Sequence, residues 1–267
     1  MRTLLFSFLL ALLASTPANA GLVLYGFDET TDQLIDINPS TGAASSIGPL
    51  GFGRVGEIAA NSTGDLFGTK YDSDELLSID PNTGAAVVVG SFGGFPNVIG
   101  LAFDNTGTLF GIDDGTDSVI TINTTTGAAT ALSTVSNTNI SGLAFADDGT
   151  LFASDFIDGN LLTINPTSGA LTTVGAFGVP GAQFRSLAFD PNGVLFAADA
   201  AGNTLYSIDT TNGAATSIGP LGFSHVTGIT FSAMAVPEPS SMCTVAMLFG
   251  PTLLFRRRLK RSHQRFA

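Results

Sequence analysis

Tryptophan is absent from this 267-residue chain, cysteine occurs once, histidine twice, and only 12% of residues are charged. One cysteine excludes an internal disulfide framework and any cysteine-based zinc centre. Only His225 lies in the central part of the chain, too few for a multi-histidine metal site. Globular domains carry about 25% charged residues, so this surface must be built from Thr, Ser, Asn and Gly instead. Cations are the scarcest feature. Between Gly21 and Ala235 there are three, Arg54, Lys70 and Arg185, against 21 acids, a net −18 that the overall −12 understates because both ends are basic. Such a field repels nucleic acid and anionic lipid and suits cations or neutral glycans, or it serves solubility alone. The chain also lacks a Gly-x-Ser-x-Gly nucleophile elbow, a Walker loop, an EF-hand and the Gly-Gly-x-Gly-x-Asp calcium nonapeptide. Hydrophobic content of 44% nevertheless excludes a disordered chain.

What is present begins with two address-like ends. Arg2, the apolar run Leu4–Ala14 and the small-x-small pattern Ala18-Asn19-Ala20 have the order of a Sec signal peptide (1–20) cleaved before Gly21. Composition changes again after Ala235. Val236-Pro237-Glu238-Pro239 leads into an apolar span over 242–255 and then Arg256, Arg257, Arg258, Lys260 and Arg261. As a helix that span reaches about 21 Å, short of a hydrocarbon core of roughly 30 Å, and snorkelling arginines make up part of the difference. It reads as a short C-terminal transmembrane helix with its basic end on the cytoplasmic side. Cys243 lies inside it as a small apolar residue.

Together the Val-Pro-Glu-Pro motif, the short span and the arginine cluster (236–267) resemble the PEP-CTERM sorting tail. The resemblance implies a Gram-negative bacterium and an exosortase-type membrane protease acting near Pro237-Glu238-Pro239. It further implies transient anchoring in the inner membrane, then release to the cell surface or an exopolysaccharide matrix.

The body, 21–235, is one unit written five times. The glycine of a T/S/N-Gly-Ala element recurs at Gly42, Gly84, Gly127, Gly169 and Gly213, at spacings of 42, 43, 42 and 44 residues. Each unit holds four short runs rich in Leu, Ile, Val, Phe and Thr, divided by Asn, Asp, Pro and Gly clusters that read as turns. Four strands in about 43 residues is the size of a β-propeller blade. The first unit opens at Leu22-Val23-Leu24-Tyr25, which aligns with a second strand, and Gly228-Ile229-Thr230-Phe231 is an orphan first strand. The reading is therefore an all-β, five-bladed propeller of four-stranded antiparallel blades, closed by pairing the terminal strands; an open β-solenoid is the competitor.

With the strands of a blade labelled a to d from the centre outward, the b–c and d–a loops share one face. The expectation is that longer, more varied loops collect there: 72–75, 113–117 and 155–160 from b–c, and 51–55, 92–98 and 177–184 from d–a. Right after strand b stand Asp28, Lys70, Asp113, Asp155 and Asp199. Three residues before strand a's opening Gly or Ser stand Gly53, Asn97, Asn139, Gln183 and His225, with Arg54 and Arg185 close by. In a ring both sets converge at the channel mouth, where carboxylates and amides would suit a hard cation such as Ca²⁺. The same aspartates also read as turn caps. Glu57 takes the place of an apolar residue on strand a when Gly56-Glu57-Ile58 is set against Gly100-Leu101-Ala102, and an inward carboxylate there must be paired.

Over 22–231 the units resemble propellers of the streptogramin-lyase, gluconolactonase and NHL-like superfamily, in the blade pattern G-x-x-F-D-x-x-G-x-L-[FWY]-x-x-D. That resemblance implies a propeller shared by enzymes and non-enzymes. Its enzymes imply a metal held by acidic and amide side chains at the mouth, with His225 as the acid/base. The reading favoured is a non-catalytic module binding a glycan or a matrix protein, with no nucleic-acid partner; the alternative is a metal-dependent lyase or lactonase-type hydrolase.

Overall fold

A computed structural model describes residues 21–136 and 139–233. The leader with Ala18 and Ala20, and the tail with Val236, Pro237, Glu238, Pro239, the apolar span and Cys243, lie outside the described residues.

Twenty strands and no helix make up the described chain, arranged as five antiparallel four-stranded sheets. Four sheets are continuous in sequence: 55–91, 98–134, 140–176 and 184–220. The remaining sheet joins β1 (Leu22–Asp28), β2 (Gln33–Ile37) and β3 (Ala44–Pro49) to β20 (Val226–Ala233). Leu24 faces Phe231, Tyr25 faces Thr230 and Gly26 faces Ile229, so the chain's two ends share one blade. The innermost strands are β4 (Val55–Ala60), β8 (Val98–Phe103), β12 (Ile140–Phe145), β16 (Phe184–Phe189) and β20. Each packs on the next, and β20 returns to β4. The closed five-bladed ring is the expected one, and closure removes the open sheet edge that a solenoid would leave at each end.

The repeating glycine earns its place at the seams between blades. A Cβ on Gly84 would stand 2.4 Å from the carbonyl oxygen of Gly48 on the preceding blade. One on Gly127 would stand 2.2 Å from Gly90, one on Gly213 2.4 Å from Gly175, and one on Gly169 1.8 Å from Thr134. Gly42 makes the fifth contact, 2.4 Å from Gly219, across the closing seam. All five glycines also have φ between +72° and +81°, which side-chain-bearing residues rarely adopt. The Thr-Gly-Ala signature thus marks the place where two blades touch backbone to backbone.

Aromatic edges fill the same seams nearer the axis. Phe67 meets Phe103, Phe110 meets Phe145, Phe152 meets Phe189 and Phe196 meets Phe231, with ring centroids 5.0–5.7 Å apart and tilted. At the fifth seam Tyr25 takes the strand-b position and Ala60 the strand-a position; there the Ala60 N–H donates to Thr230 Oγ1 at 3.0 Å. Toward the a–b turns the channel widens into a cavity of about 130 Å³ lined by rings of Leu/Ile, Ala/Thr and Phe/Ala.

Loop lengths depart from expectation. Every b–c connection has four residues, 29–32, 71–74, 114–117, 156–159 and 200–203, so the expected variation there is absent. The cause is one shared turn, in which Asp32, Asp74, Asp117, Gly159 and Asn203 all take positive φ. Their carbonyls accept the N–H of Leu50, Phe92, Val135, Phe177 and Leu221 respectively. Length variation is confined to the d–a connections, which run from five residues (50–54) to seven (177–183).

Candidate functional site at the channel mouth

Backbone bonds define which residues ring the mouth. Glu29, Tyr71, Asp114, Phe156 and Ala200 each donate an N–H to the carbonyl of the residue preceding strand a: His225, Arg54, Asn97, Asn139 and Gln183. The rim is therefore Arg54, Asn97, Asn139, Gln183 and His225. Arg54, not Gly53, holds the second blade's place; aligning on the strand-a glycine shifts that blade by one residue. Arg54 and His225 have φ of +64° and +65°, backbone conformations that non-glycine residues seldom hold.

The same shift corrects Glu57. Ile58 pairs with Gly68 as Leu101 pairs with Gly111, so Ile58 is the apolar equivalent. Glu57 instead occupies the position of Gly100, Gly142, Ser186 and Gly228. These small residues let the five inner strands approach to backbone contact. A Cβ on Gly142 would stand 2.8 Å from Ser186 backbone, and one on Gly228 2.8 Å from the Ile58 nitrogen. Glu57, 1% exposed, fills what space remains. Its Oε1 accepts from Ser186 Oγ at 2.7 Å and from the Ile58 N–H at 3.2 Å, while Oε2 is buried without a partner. Ser186 Oγ in turn accepts the Ile229 N–H at 2.6 Å, tying the closing strand to Glu57. Burial raises the Glu57 pKa well above the ordinary range, and bonds from Ser186, Ile58 and Ile229 only partly oppose it. Glu57 thus fills the inner-strand level between the rim residues and the apolar cavity that begins at Ile58, and the ring of rim residues above it frames a polar cup at the channel mouth.

The four aligned aspartates are consumed by the loops. Asp113, fully buried, accepts the Asn97 N–H at 2.7 Å on Oδ1, and the Thr116 N–H at 2.8 Å and hydroxyl at 2.6 Å on Oδ2. Asp199 accepts the Gln183 N–H at 2.8 Å and the Ala201 N–H at 3.0 Å. Asp155 accepts the N–H groups of Ile157 and Asp158 at 3.2 and 2.9 Å, and Asp28 Oδ2 accepts the Thr31 N–H at 3.1 Å and the Thr31 hydroxyl, while its Oδ1 is buried without a partner. One carboxylate thus closes its own b–c turn and, in Asp113 and Asp199, also clamps the adjacent d–a loop. In the second blade Lys70 replaces the aspartate and pairs with Asp72 at 2.7 Å. Among the described residues no group of three or more His, Cys, Asp or Glu is placed to hold a metal ion. The donor set envisaged for Ca²⁺ is not gathered at one point: most of the aspartate oxygens serve their own loops, and Asp28 Oδ1, buried without a partner, stands apart from any second and third acidic ligand.

What faces the cup is mostly amide, guanidinium and aromatic. Asn97 Nδ2 donates to Asp114 Oδ2 at 3.1 Å. Asp114 titrates above the usual carboxylate range because of burial, then the Asp117 charge. Arg185, on β16, donates to Gln183 Oε1 from Nη2 at 3.2 Å and from Nε at 3.4 Å, and its guanidinium lies over the Phe156 ring at 4.5 Å. His225 Nδ1 is 3.2 Å from Glu29 Oε2. Tyr71 lies against Gly56, where a Cβ would meet its hydroxyl at 2.3 Å. Its pKa is pushed up by burial first, then by Glu57 and Glu29, and drawn down by Arg185 and Arg54, so these four ionisable side chains lie around it. Tyr71, Glu29 and Phe156 escape sequence reading because they carry no motif. Each simply follows the strand-b capping position by one residue.

Fold and site define a five-bladed β-propeller built from a repeat, with a polar rim at one end of its channel. The chain belongs to the family described as "Repeat of unknown function (DUF6923)", whose model matches residues 66–233. No curated protein sequence matches it. Among solved structures, a chain of a nidogen/laminin complex superposes with a TM-score of 0.59 at 13% identity, covering 81% of this chain and all of that one. A structural-genomics protein of unknown function from Bacteroides thetaiotaomicron gives 0.55 at 14% identity, covering 80% of this chain and 72% of that one. Virginiamycin B lyase from Staphylococcus aureus gives 0.46 at 13%, covering 79% and 76%. At these identities nothing finer than the fold is shared.

Proposed function

We propose that the protein is a non-catalytic binding module that seats a glycan or matrix protein in the polar cup at its channel mouth. We propose further that it works outside the cell, exported by Sec and handed through its C-terminal tail to an exosortase-type protease, at the surface or in the exopolysaccharide matrix of a Gram-negative bacterium. The observation that carries the binding reading is the division of labour at the mouth. The aspartates are buried in turn-building, while amides, guanidinium groups and aromatics from different blades are left around the channel mouth. Variable connections on a rigid scaffold are where binding residues collect, and the d–a loops that supply this rim are the only connections that vary in length. Export is supported by the leader and tail compositions alone.

Binding of the full chain to a panel of bacterial exopolysaccharides and matrix proteins tests the seat. Gln183→Ala combined with Asn97→Ala is expected to weaken capture at least tenfold with the fold intact by circular dichroism. Undiminished capture would remove the mouth from consideration. A hydrolase or lyase reading has one observation in its favour, the His225–Glu29 pair at 3.2 Å, since a carboxylate-oriented imidazole is how a general base is held. Turnover of a lactone or ester that His225→Ala abolishes would decide for it.

A further inference from the structure

The three cations of the 21–235 body all sit on one end of a molecule whose body carries −18. Lys70 is neutralised by Asp72 at 2.7 Å. The two arginines are not: among the described residues, neither Arg54 nor Arg185 comes within 4.0 Å of a carboxylate, although 21 acids are available. Surface guanidinium groups in so acidic a protein would ordinarily find a partner, so two of them left unpaired beside one cup call for an explanation.

Arg185 is also held in a fixed pose. Phe156 supports one face of its guanidinium at 4.5 Å, and Gln183 Oε1 accepts from Nε and Nη2. Guanidinium presents five N–H donors; these two bonds leave both Nη1 donors and one on Nη2, a planar pair directed away from Gln183. That is the fork that takes a carboxylate through two parallel hydrogen bonds. Arg54, in its left-handed backbone conformation, brings the second positive charge to the rim beside Tyr71. Around them stand amides suited to hydroxyl groups, Gln183 and Asn97, and the rings of Tyr71 and Phe156.

We propose that the cup reads the carboxylate of an acidic sugar, a uronate within an acidic polysaccharide. Arg185 forms the bidentate contact, Arg54 is the second charge, and the rim amides bind ring hydroxyls. This rests on the mouth being the binding seat and overrides the body's net charge, which alone would favour cations or neutral glycans. The turn aspartates are buried and bonded to loop N–H groups, Glu29 lies 3.2 Å from His225 and Asp114 accepts from Asn97, which leaves the two arginines as the rim cations with no carboxylate within 4.0 Å.

Isothermal titration of the full chain with trigalacturonate, its methyl ester and neutral galactotriose tests the proposal. The acid is expected to bind at least tenfold tighter than its ester. Arg185→Gln should erase that preference, and Arg185→Lys should retain a fraction of it, since charge survives but the fork does not. Thermal melting of each variant checks that the ring is intact, and Arg54→Gln gives an independent charge deletion that leaves the Phe156 stack untouched. Equal binding of acid and ester, reduced in Gln183→Ala, would overturn the carboxylate reading while leaving the seat in place. Acid binding unaffected by Arg185→Gln, Arg54→Gln and Gln183→Ala alike would overturn both. Failure of all three sugars to bind, or preference for a polyglutamate peptide over trigalacturonate, would overturn the uronate assignment.

Discussion

Replacing Glu57 with glutamine removes a single proton-binding group from the middle of the channel while keeping its shape. In the fold this acid is 1% exposed, one of its oxygens has no partner, and no cation lies within ion-pair distance. It stays protonated well above its ordinary value of 4.5, which it regains when the chain unfolds. A raised folded-state pKa means the native form holds the proton that the unfolded form releases. The stabilisation is complete below pH 4.5 and is lost as pH rises toward the folded-state value. While that proton remains bound, the loss is about 1.4 kcal/mol per pH unit. For a ring of roughly 210 residues, an unfolding entropy near 2.1 cal/mol/K per residue converts this to about 3 °C per pH unit. Calorimetric melting of wild type and Glu57→Gln from pH 4.5 to 8 reads the difference directly. Carboxylates held low by turn bonds, such as Asp65, Asp80 and Asp209, titrate below this window and are common to both proteins. The glutamine variant is expected to lack the downward slope, so the gap between the curves widens with pH in its favour. Parallel curves would mean that Glu57 is ionised in the fold.

Other changes report on the ring and the loops. Gly84→Ala puts a methyl 2.4 Å from the Gly48 carbonyl at a φ of +78°, and should cost about 2–4 kcal/mol, read as a fall of about 5–10 °C in Tm; a fall under 2 °C would refute the backbone seam. Asp113→Ala strands the Asn97 and Thr116 N–H groups and should cost about 1–3 kcal/mol by urea unfolding. Millimolar Ca²⁺ against EDTA should leave the wild-type Tm within 1 °C, since no three acidic, His or Cys side chains are gathered together among the described residues, and a rise of 5 °C would restore a cation to the mouth. Ser186→Ala removes the hydroxyl that Glu57 Oε1 and the Ile229 N–H share, and should cost about 1–3 kcal/mol while leaving sugar binding unchanged. Loss of binding with an intact fold would show that Ser186 belongs to the cup.

Much of the fold was legible because repetition reveals itself. Five Thr-Gly-Ala glycines at nearly equal spacing count the blades, and the orphan Gly228–Phe231 segment announces how the ring closes. Turn chemistry was equally plain, with Asp104 and Asp190 accepting from the N–H groups two and four residues on. The mouth was legible only in part. Asn97, Asn139, Gln183 and His225 hold rim positions that the spacing to strand a marks, whereas in the second blade that spacing points to Gly53 and the rim residue is Arg54. Glu57 stands there in a column otherwise made of glycine and serine, so nothing in its own segment marks the register. Equal spacing of the aspartates could not show whether their oxygens turn toward the channel or into their own loops.

The sequence by itself determined the strands, the turns, the number of blades and their closure, because each follows from short-range chemistry written five times over. Only packing across the axis shows that most of the aspartate oxygens serve their own loops, that Glu57 meets Ser186 129 residues away, and that two arginines with no carboxylate within 4.0 Å stand at one rim. Those outcomes depend on which side chains meet across the axis, where residues distant in the chain approach within 3 Å and a shift of one residue exchanges a buried acid for an apolar neighbour.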